Sequence, residues 1–325
     1  MFRRLAVAVV ALAGAAVAPL PASAQDWPQR PIKIIVAFGP GGGTDIVARI
    51  IAQALQERLG QPVTVENRTG AGGTIGHDMV ARADKDGHTL GVVVAGLVIT
   101  AAMRKSMRYD TVADFEPIAM MARQTNLIAV RPDFPASSVA ELVKAAHAEP
   151  GKLTYASPAF GALQHFAGEL FAQSTNIKLL HVPFRSSPEA ITSVLSRNVN
   201  IIFDTVAALQ GHVQSKDLKA IAVTGKARLP SLPNVPTVIE SGLAPEYEVA
   251  TWYGLVGPRG LPAPVVGRLS KAALDSLAEK AVAERLVKAG VEPDPGPPDV
   301  LGRLVAAEMK RWSDVRISAG IAQVD

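Results

Sequence analysis

Three short stretches carry the residue types that could do chemistry, and their chemistry is that of holding an anion. The first is Phe38-Gly39-Pro40-Gly41-Gly42-Gly43-Thr44-Asp45, which stands between an apolar β-branched run and a segment of helical periodicity. Consecutive glycines leave backbone N–H groups uncovered, and a helix start carries partial positive charge. Such a turn suits a carboxylate or a phosphate. A tight strand-to-helix connection that binds nothing is the other reading this stretch leaves open. Gly70-Ala71-Gly72-Gly73-Thr74-Ile75-Gly76 is a second glycine turn, and Ser157-Pro158-Ala159-Phe160-Gly161 with His165 is the third stretch. His165 could face a cleft or pack locally, Asp204 could receive a ligand amine or hydroxyl or cap the following helix with Thr205, and Trp252 could line a cleft or fill a core.

Reaction chemistry is not signalled. The 6 histidines do not form H-E-x-x-H, and the cysteine count of 0 removes thiolate zinc ligation. Ser157 lies between Ala156 and Pro158, outside any G-x-S-x-G elbow. No G-x-x-x-x-G-K-[ST] occurs, and a dinucleotide fingerprint started at Gly39 would need glycine where Thr44 stands. We therefore expect no catalytic residue, no metal site and no cofactor.

The elements that position these stretches follow from apolar patterning. Ile32 to Ala37, Gln61 to Glu66 and His88 to Ala95 read as strands, with helices after the first two glycine turns. Thr44 or Asp45 is the expected N-cap of the first helix, and Gly60 ends it. A β-α-β-α-β order implies a parallel sheet with right-handed crossovers, and ligands of such sheets sit beyond the strands' carboxyl ends. Glu116 to Val130 reads as two strand segments joined at Arg123 to Asn126. A second α/β unit then begins with a capping-box start at Ser138 and Glu141. Strands follow at Lys152 to Ala156, Lys178 to Pro183, Val199 to Asp204 and Lys219 to Thr224, alternating with helices. Gly225 to Tyr247 is a proline-rich connection, Val249 to Val256 a strand, and the rest helical, with Pro293 to Pro298 separating the last two helices. The C-terminal helices have no sheet of their own, so the chain must cross twice between units, near Gln124-Thr125 and near Ala250. The expected domains are 1–24 as a leader, 25–125 with 250–325 as one discontinuous lobe, and 126–249 as the other.

The chain has 325 residues, 48% of them hydrophobic and 5% aromatic, and a formal charge of +4. Two of its basic residues, Arg3 and Arg4, lie in the leader, and no run of Lys or Arg marks a nucleic-acid surface. Met1 to Arg4, the apolar Leu5 to Ala18 and Ala22-Ser23-Ala24 fit the three parts of a cleaved secretory signal, so a soluble chain exported across the cytoplasmic membrane and starting at Gln25 is expected.

The assembled motifs resemble the substrate-binding receptors of tripartite tricarboxylate transporters, also called the Bug family. The matching pieces are the first glycine stretch through Arg49, Val65 to Gly76, Asp86-Gly87-His88-Thr89-Leu90 and Phe115 to Ala119. Further on come Gly151 to Tyr155, His181-Val182-Pro183-Phe184, Asn234 to Gly242 and Trp252-Tyr253-Gly254-Leu255. The resemblance implies a two-lobed α/β periplasmic binding protein of type II, a Venus-flytrap fold with two interlobe crossover strands. It implies a small organic carboxylate as ligand, gripped by the first glycine loop and the loop after Tyr155, and membrane transporter subunits as partners of a monomeric, non-enzymatic receptor. A ligand-sensing receptor without a dedicated transporter, and a secreted α/β hydrolase-like enzyme, are the alternatives. The ligand-contact set so implied is Phe38, Gly41, Gly42, Gly43, Thr44, Ala71, Gly72, Thr74, Ser157, Ala159, Phe160, Gly161, His165 and Asp204. The third loop is more apolar and stiffer than the family's usual Ser, Gly and Asn, which points to a less polar ligand end near Phe160 and Leu163.

Overall fold

A parallel three-stranded core opens the computed structural model, which describes residues 27–158 and 160–325. The expected secretory leader, 1–24, and the candidate contact Ala159 lie outside the described residues. β1 (Ile32–Val36) pairs in parallel with β2 (Val63–Asn67) on one side and β3 (Thr89–Val94) on the other. Between them run α1 (Gly43–Leu59) and α2 (Thr74–Ala81), so both glycine turns fall at the carboxyl ends of strands. Gly60, left-handed at φ 68°, terminates α1 as expected. The N-cap of α1 is Gly42, not Thr44 or Asp45. Asp45 sits inside the first turn and reaches back to the Gly41 N–H at 2.9 Å, which does the capping work from one turn further in.

α3 (Gly96–Met103) follows β3. Most of its residues are apolar and buried, so it carries no amphipathic period to announce a helix. β4 (Phe115–Val130) is then one unbroken strand where two segments were expected. Its polar joint stays extended because those residues remain paired: Arg123 faces Trp252, Gln124 faces Thr251 and Thr125 faces Ala250. From Asn126 onward β4 changes partners to the second set of strands.

That second set comprises α4 (Val139–Ala148), β5 (Thr154–Ser157), α5 (Leu163–Ser174), β6 (Leu180–Pro183), α6 (Ser187–Leu195), β7 (Ile201–Thr205), α7 (Val206–Gln214) and β8 (Lys219–Val223). β5 pairs in parallel with β6 and β7, while β7 and β8 flank β4 in antiparallel fashion. Ser138 caps α4 by accepting from the Glu141 N–H at 3.2 Å, as its spacing predicts. β9 (Ala250–Pro258) returns beside β4 and β3, both antiparallel, and completes the strand order β2-β1-β3-β9-β4-β7-β5-β6.

The C-terminal part holds α8 (Ala263–Leu277), α9 (Lys280–Lys288), β10 (Glu292–Gly296) and α10 (Pro298–Ser318). α8 and α9 share an apolar core with α1 and the first sheet. β10 occupies most of a stretch expected to be a mere separator. It pairs with β4 across an irregular register, a place where a strand tolerates its two prolines. α10 reaches both halves: Trp312, fully buried, packs edge-on against Phe166 of α5 at 5.7 Å, within a core that also holds Leu97, Val98 and Met103 of α3. Among the described residues, no helix is long and apolar enough to cross a membrane.

Candidate functional site

The first glycine turn is open to solvent, and its backbone donors are only partly engaged. Gly41, at φ 80°, turns the chain so that its N–H meets Asp45 Oδ2. Asp45 also accepts from Arg49 Nε at 2.9 Å and from Asn67 Nδ2 at 2.9 Å. The Arg49 bond, aided by Gly41 and Asn67 and opposed by burial, lowers this carboxyl to about 2. The N–H groups of Gly42, Gly43 and Thr44 meet no acceptor among the described residues. They are the unsatisfied first-turn donors of α1 and point their partial charge outward. Beneath the loop, a Cβ on Gly43 would lie 3.0 Å from the Tyr253 hydroxyl, which donates to Gln124 Oε1 at 2.8 Å.

The second glycine turn is braced from α3. Thr100 Oγ1 donates to the Gly72 carbonyl at 3.2 Å and Arg104 Nη2 to the Ala71 carbonyl at 3.1 Å. Gly76 is there for close approach: a Cβ would meet Arg68 O at 2.7 Å and Ala37 Cα at 2.8 Å. Thr74 bonds the Ala71 carbonyl through its hydroxyl and borders a neighbouring depression with Ile75 and Asp78. The cavity described next is lined by Ala71 and Gly72 but not by Thr74.

The third stretch rests on a column of rings. Tyr155 stacks on His181 with centroids 4.8 Å apart, His181 on His165 at 3.8 Å and 9°, and Phe160 leans on His165 at 5.0 Å. His165 is buried rather than exposed in the cleft, and its Nδ1 accepts the Gly161 N–H at 3.1 Å, so that donor is engaged. Burial lowers His165 to about 4; burial, then the neighbouring His165, lowers His181 to about 3. Both rings are neutral at ordinary pH. Below them Tyr155 Oη donates to Glu169 Oε1 at 2.7 Å, and burial raises that carboxyl.

Ser157 Oγ and His181 Nε2 share a 2.7 Å hydrogen bond, a nucleophile-and-base pairing that spacing in the sequence did not reveal. It is unsuited to catalysis. Ser157 is fully buried, and an imidazole held near 3 is too weak a base to take a serine proton at neutral pH.

Phe160, 53% exposed, and Leu163 meet Phe38, Gly72 and Met103 around a cavity of about 360 Å³. Phe38, Ala71 and Gly72 thus share this cavity with α3 and the start of α5, whereas Gly41, Gly42, Gly43, Thr44, Ser157, His165 and Asp204 do not line it. Asp204 ends β7 as a buried side chain. Its Oδ1 accepts the Thr205 N–H at 2.7 Å, and burial raises its carboxyl against the opposing hydrogen bonds from the Ser187 hydroxyl and the Thr205 N–H. Trp252 is in the core.

A family model described as "Tripartite tricarboxylate transporter family receptor" matches residues 47–320. The chain belongs to this family. The receptor is 34% identical over 317 residues to Protein BugT of Bordetella pertussis, covering 97% of each chain. It resembles the solved structure of R. palustris Rpa4515 with adipate at TM-score 0.78 and 34% identity, over 92% of this chain and 100% of that one. MatC of Rhodopseudomonas palustris, solved with bound malate, matches at TM-score 0.73 and 31% identity, over 89% and 99% of the two chains. The two-lobed α/β periplasmic binding-protein fold expected from the motifs is thus the receptor's fold, and its family is one of substrate-binding receptors rather than enzymes.

Proposed function

We propose that the receptor captures a small organic carboxylate between the turn before α1 and the turn before α5, and delivers it to membrane transporter subunits from the periplasm. The observation that carries this reading is the set of unengaged N–H groups at Gly42, Gly43 and Thr44. Backbone donors at a helix start hold a carboxylate without a counter-charge. The apolar wall of Phe38, Met103, Phe160 and Leu163 then favours a ligand whose body is aliphatic or aromatic. Relatives solved with adipate and malate support a carboxylate. We place the lobes at 25–125 with 250–325 and at 126–249, since β4 exchanges partners between Thr125 and Asn126 and β9 begins at Ala250. Bending there would close the cleft.

A thermal-shift screen of the purified mature chain against aliphatic, aromatic and hydroxy acids tests this. We expect stabilisation by acids with an apolar body, recovered unaltered by mass spectrometry. Stabilisation by citrate alone would remove the apolar-body reading, and recovery of a changed molecule would make the protein an enzyme.

A further inference from the structure

The side of the crossing that faces away from the first glycine turn carries a knot of charge. Successive residues of a strand point to opposite faces. Gln124 and Tyr253 lie under Gly43, so Arg123 and Thr125 of β4 point the other way, with their partners Trp252 and Ala250 of β9. On that rear face Arg123 Nη1 donates to Glu248 Oε1 at 3.3 Å, and its Nε donates to Asp294 of β10. The other carboxylate oxygen, Glu248 Oε2, pairs with Lys226 Nζ at 3.2 Å. The Glu248 carbonyl accepts from Arg311 Nη2 of α10. The Arg123 and Glu248 side chains are 32% and 25% exposed, and a connected network of this kind holds more firmly than scattered surface pairs. Cavities of about 320 and 120 Å³ border Glu248, which leaves room for these groups to part.

We infer that the ties converging on Glu248 form a latch that holds the cleft open. This rests on the lobe placement proposed above, under which Lys226 and Glu248 belong to 126–249, and Arg123, Asp294 and Arg311 to the other lobe. The ties from Arg123 and Arg311 to Glu248 therefore run from one lobe to the other. The ribbon of β4 and β9 separates them from the first glycine turn. A bend that narrows the cleft in front of the ribbon widens the gap behind it and pulls the ties apart. Closure on a ligand must offset their loss. Weakening the latch therefore raises the closed population before any ligand arrives, and tightens binding by the same factor. Neither Arg123 nor Glu248 lines the cavity of Phe38 and Phe160, so both act on the ligand through the bend alone.

The cysteine count of 0 makes site-specific spin labelling straightforward. Met79→Cys on α2 and Arg185→Cys before α6, both exposed, place one label in each lobe. Double electron–electron resonance then reads their separation in the ligand-free mature chain. Glu248→Gln should at least double the share of shorter separations. Glu248→Lys, which sets a third cation against Arg123 and Lys226, should raise it further, and Arg123→Gln should act in the same direction. Arg228→Gln breaks an ion pair with Glu240 inside one lobe and should change nothing. Separations that stay the same or lengthen in the Glu248 and Arg123 variants overturn the latch and leave the carboxylate reading standing, because no ligand is present. An equal shift in Arg228→Gln overturns it too, since any lost surface pair would then suffice. A second label pair, Lys144→Cys with Arg185→Cys, lies within 126–249 and should keep its separation in every variant. Movement there would show that this segment does not turn as one body, which ends the lobe placement and the latch together. Breaking the same tie from either side, at Arg123 or at Glu248, keeps the test decisive if one variant folds poorly.

Discussion

The turn before α1 and the turn before α5 border the same cleft but are stiffened by opposite electrostatics. The first is organised by a charge: ionised Asp45, held by Gly41, Arg49 and Asn67, gathers the loop and leaves three donors facing out. The second is organised by neutral rings, with His165 taking up the Gly161 N–H and leaning on His181 and Phe160. One turn offers hydrogen bonds and the other offers surface. A cleft so divided can grip one end of a ligand by direction and the remainder by shape, with no single side chain bearing the whole affinity.

The sharpest way to separate the two is acid, and it carries the largest expected effect. His165 and His181 have folded values near 4 and 3, below the ordinary 6.5 of the unfolded chain. Between pH 6.5 and those values the unfolded state binds protons that the native state refuses, so stability falls as pH falls. The effect is about 3 kcal/mol for His165. Glu169, raised by burial, gains stability on acidification and offsets part of this. His77, buried beneath Phe38, has the same sign as the pair and is lowered to about 4. Asp45 contributes nothing until much lower pH: its share is intact above 3.8 and lost between 3.8 and about 2. Melting temperature measured from pH 7 to 4 should therefore drop in the wild type. The double variant His165→Phe, His181→Phe should lose most of that slope, and His77→Phe the remainder. An unchanged slope in the double variant would mean that the ring column is not what makes the second turn acid-sensitive.

Next in size is Asp45→Ala. It strands the Gly41 and Asn67 donors beside a buried position and should lower unfolding free energy by about 2–3 kcal/mol in urea titration. A loss under about 0.5 kcal/mol, the range of ordinary surface substitutions, would show that the first turn does not depend on its charge.

The smallest effect on the fold, though not on the ligand, belongs to Gly42→Val. Gly42 has φ −77°, and an added Cβ meets nothing nearer than Gly39 O at 3.7 Å. Its melting temperature without ligand should match the wild type, while acid-induced stabilisation disappears and affinity falls at least a hundredfold. Retained stabilisation would remove the turn before α1 from the binding role and with it the contrast drawn above.

The strength of local signals decided what could be read from the chain. Glycine turns after apolar strands, the Ser138 cap and the order of strands are short-range features, and they appear where their residues placed them. Helix α3 and strand β10 are long-range outcomes. The first is mostly apolar because it is buried between α10 and the second glycine turn, and the second keeps its prolines because β4 supplies the pairing. The same distinction runs through the site. The donors of Gly42 to Thr44 follow from their own neighbours. The stack of His165 on His181 joins residues from α5 and β6, and Met103 and Phe160 line one cavity only because α3 and the turn before α5 close around it. No spacing along the chain encodes either meeting.

The Tyr253 hydroxyl joins two regions through one atom. It lies under Gly43 and is hydrogen-bonded to Gln124, so the floor of the first turn is made by β9 and β4, the two strands that pass between the sheets. Any torsion of that two-stranded ribbon shifts the floor of the turn. The amides of Gly42 to Thr44 therefore sit directly over the crossing strands, with no intervening loop between the Tyr253 hydroxyl and Gly43.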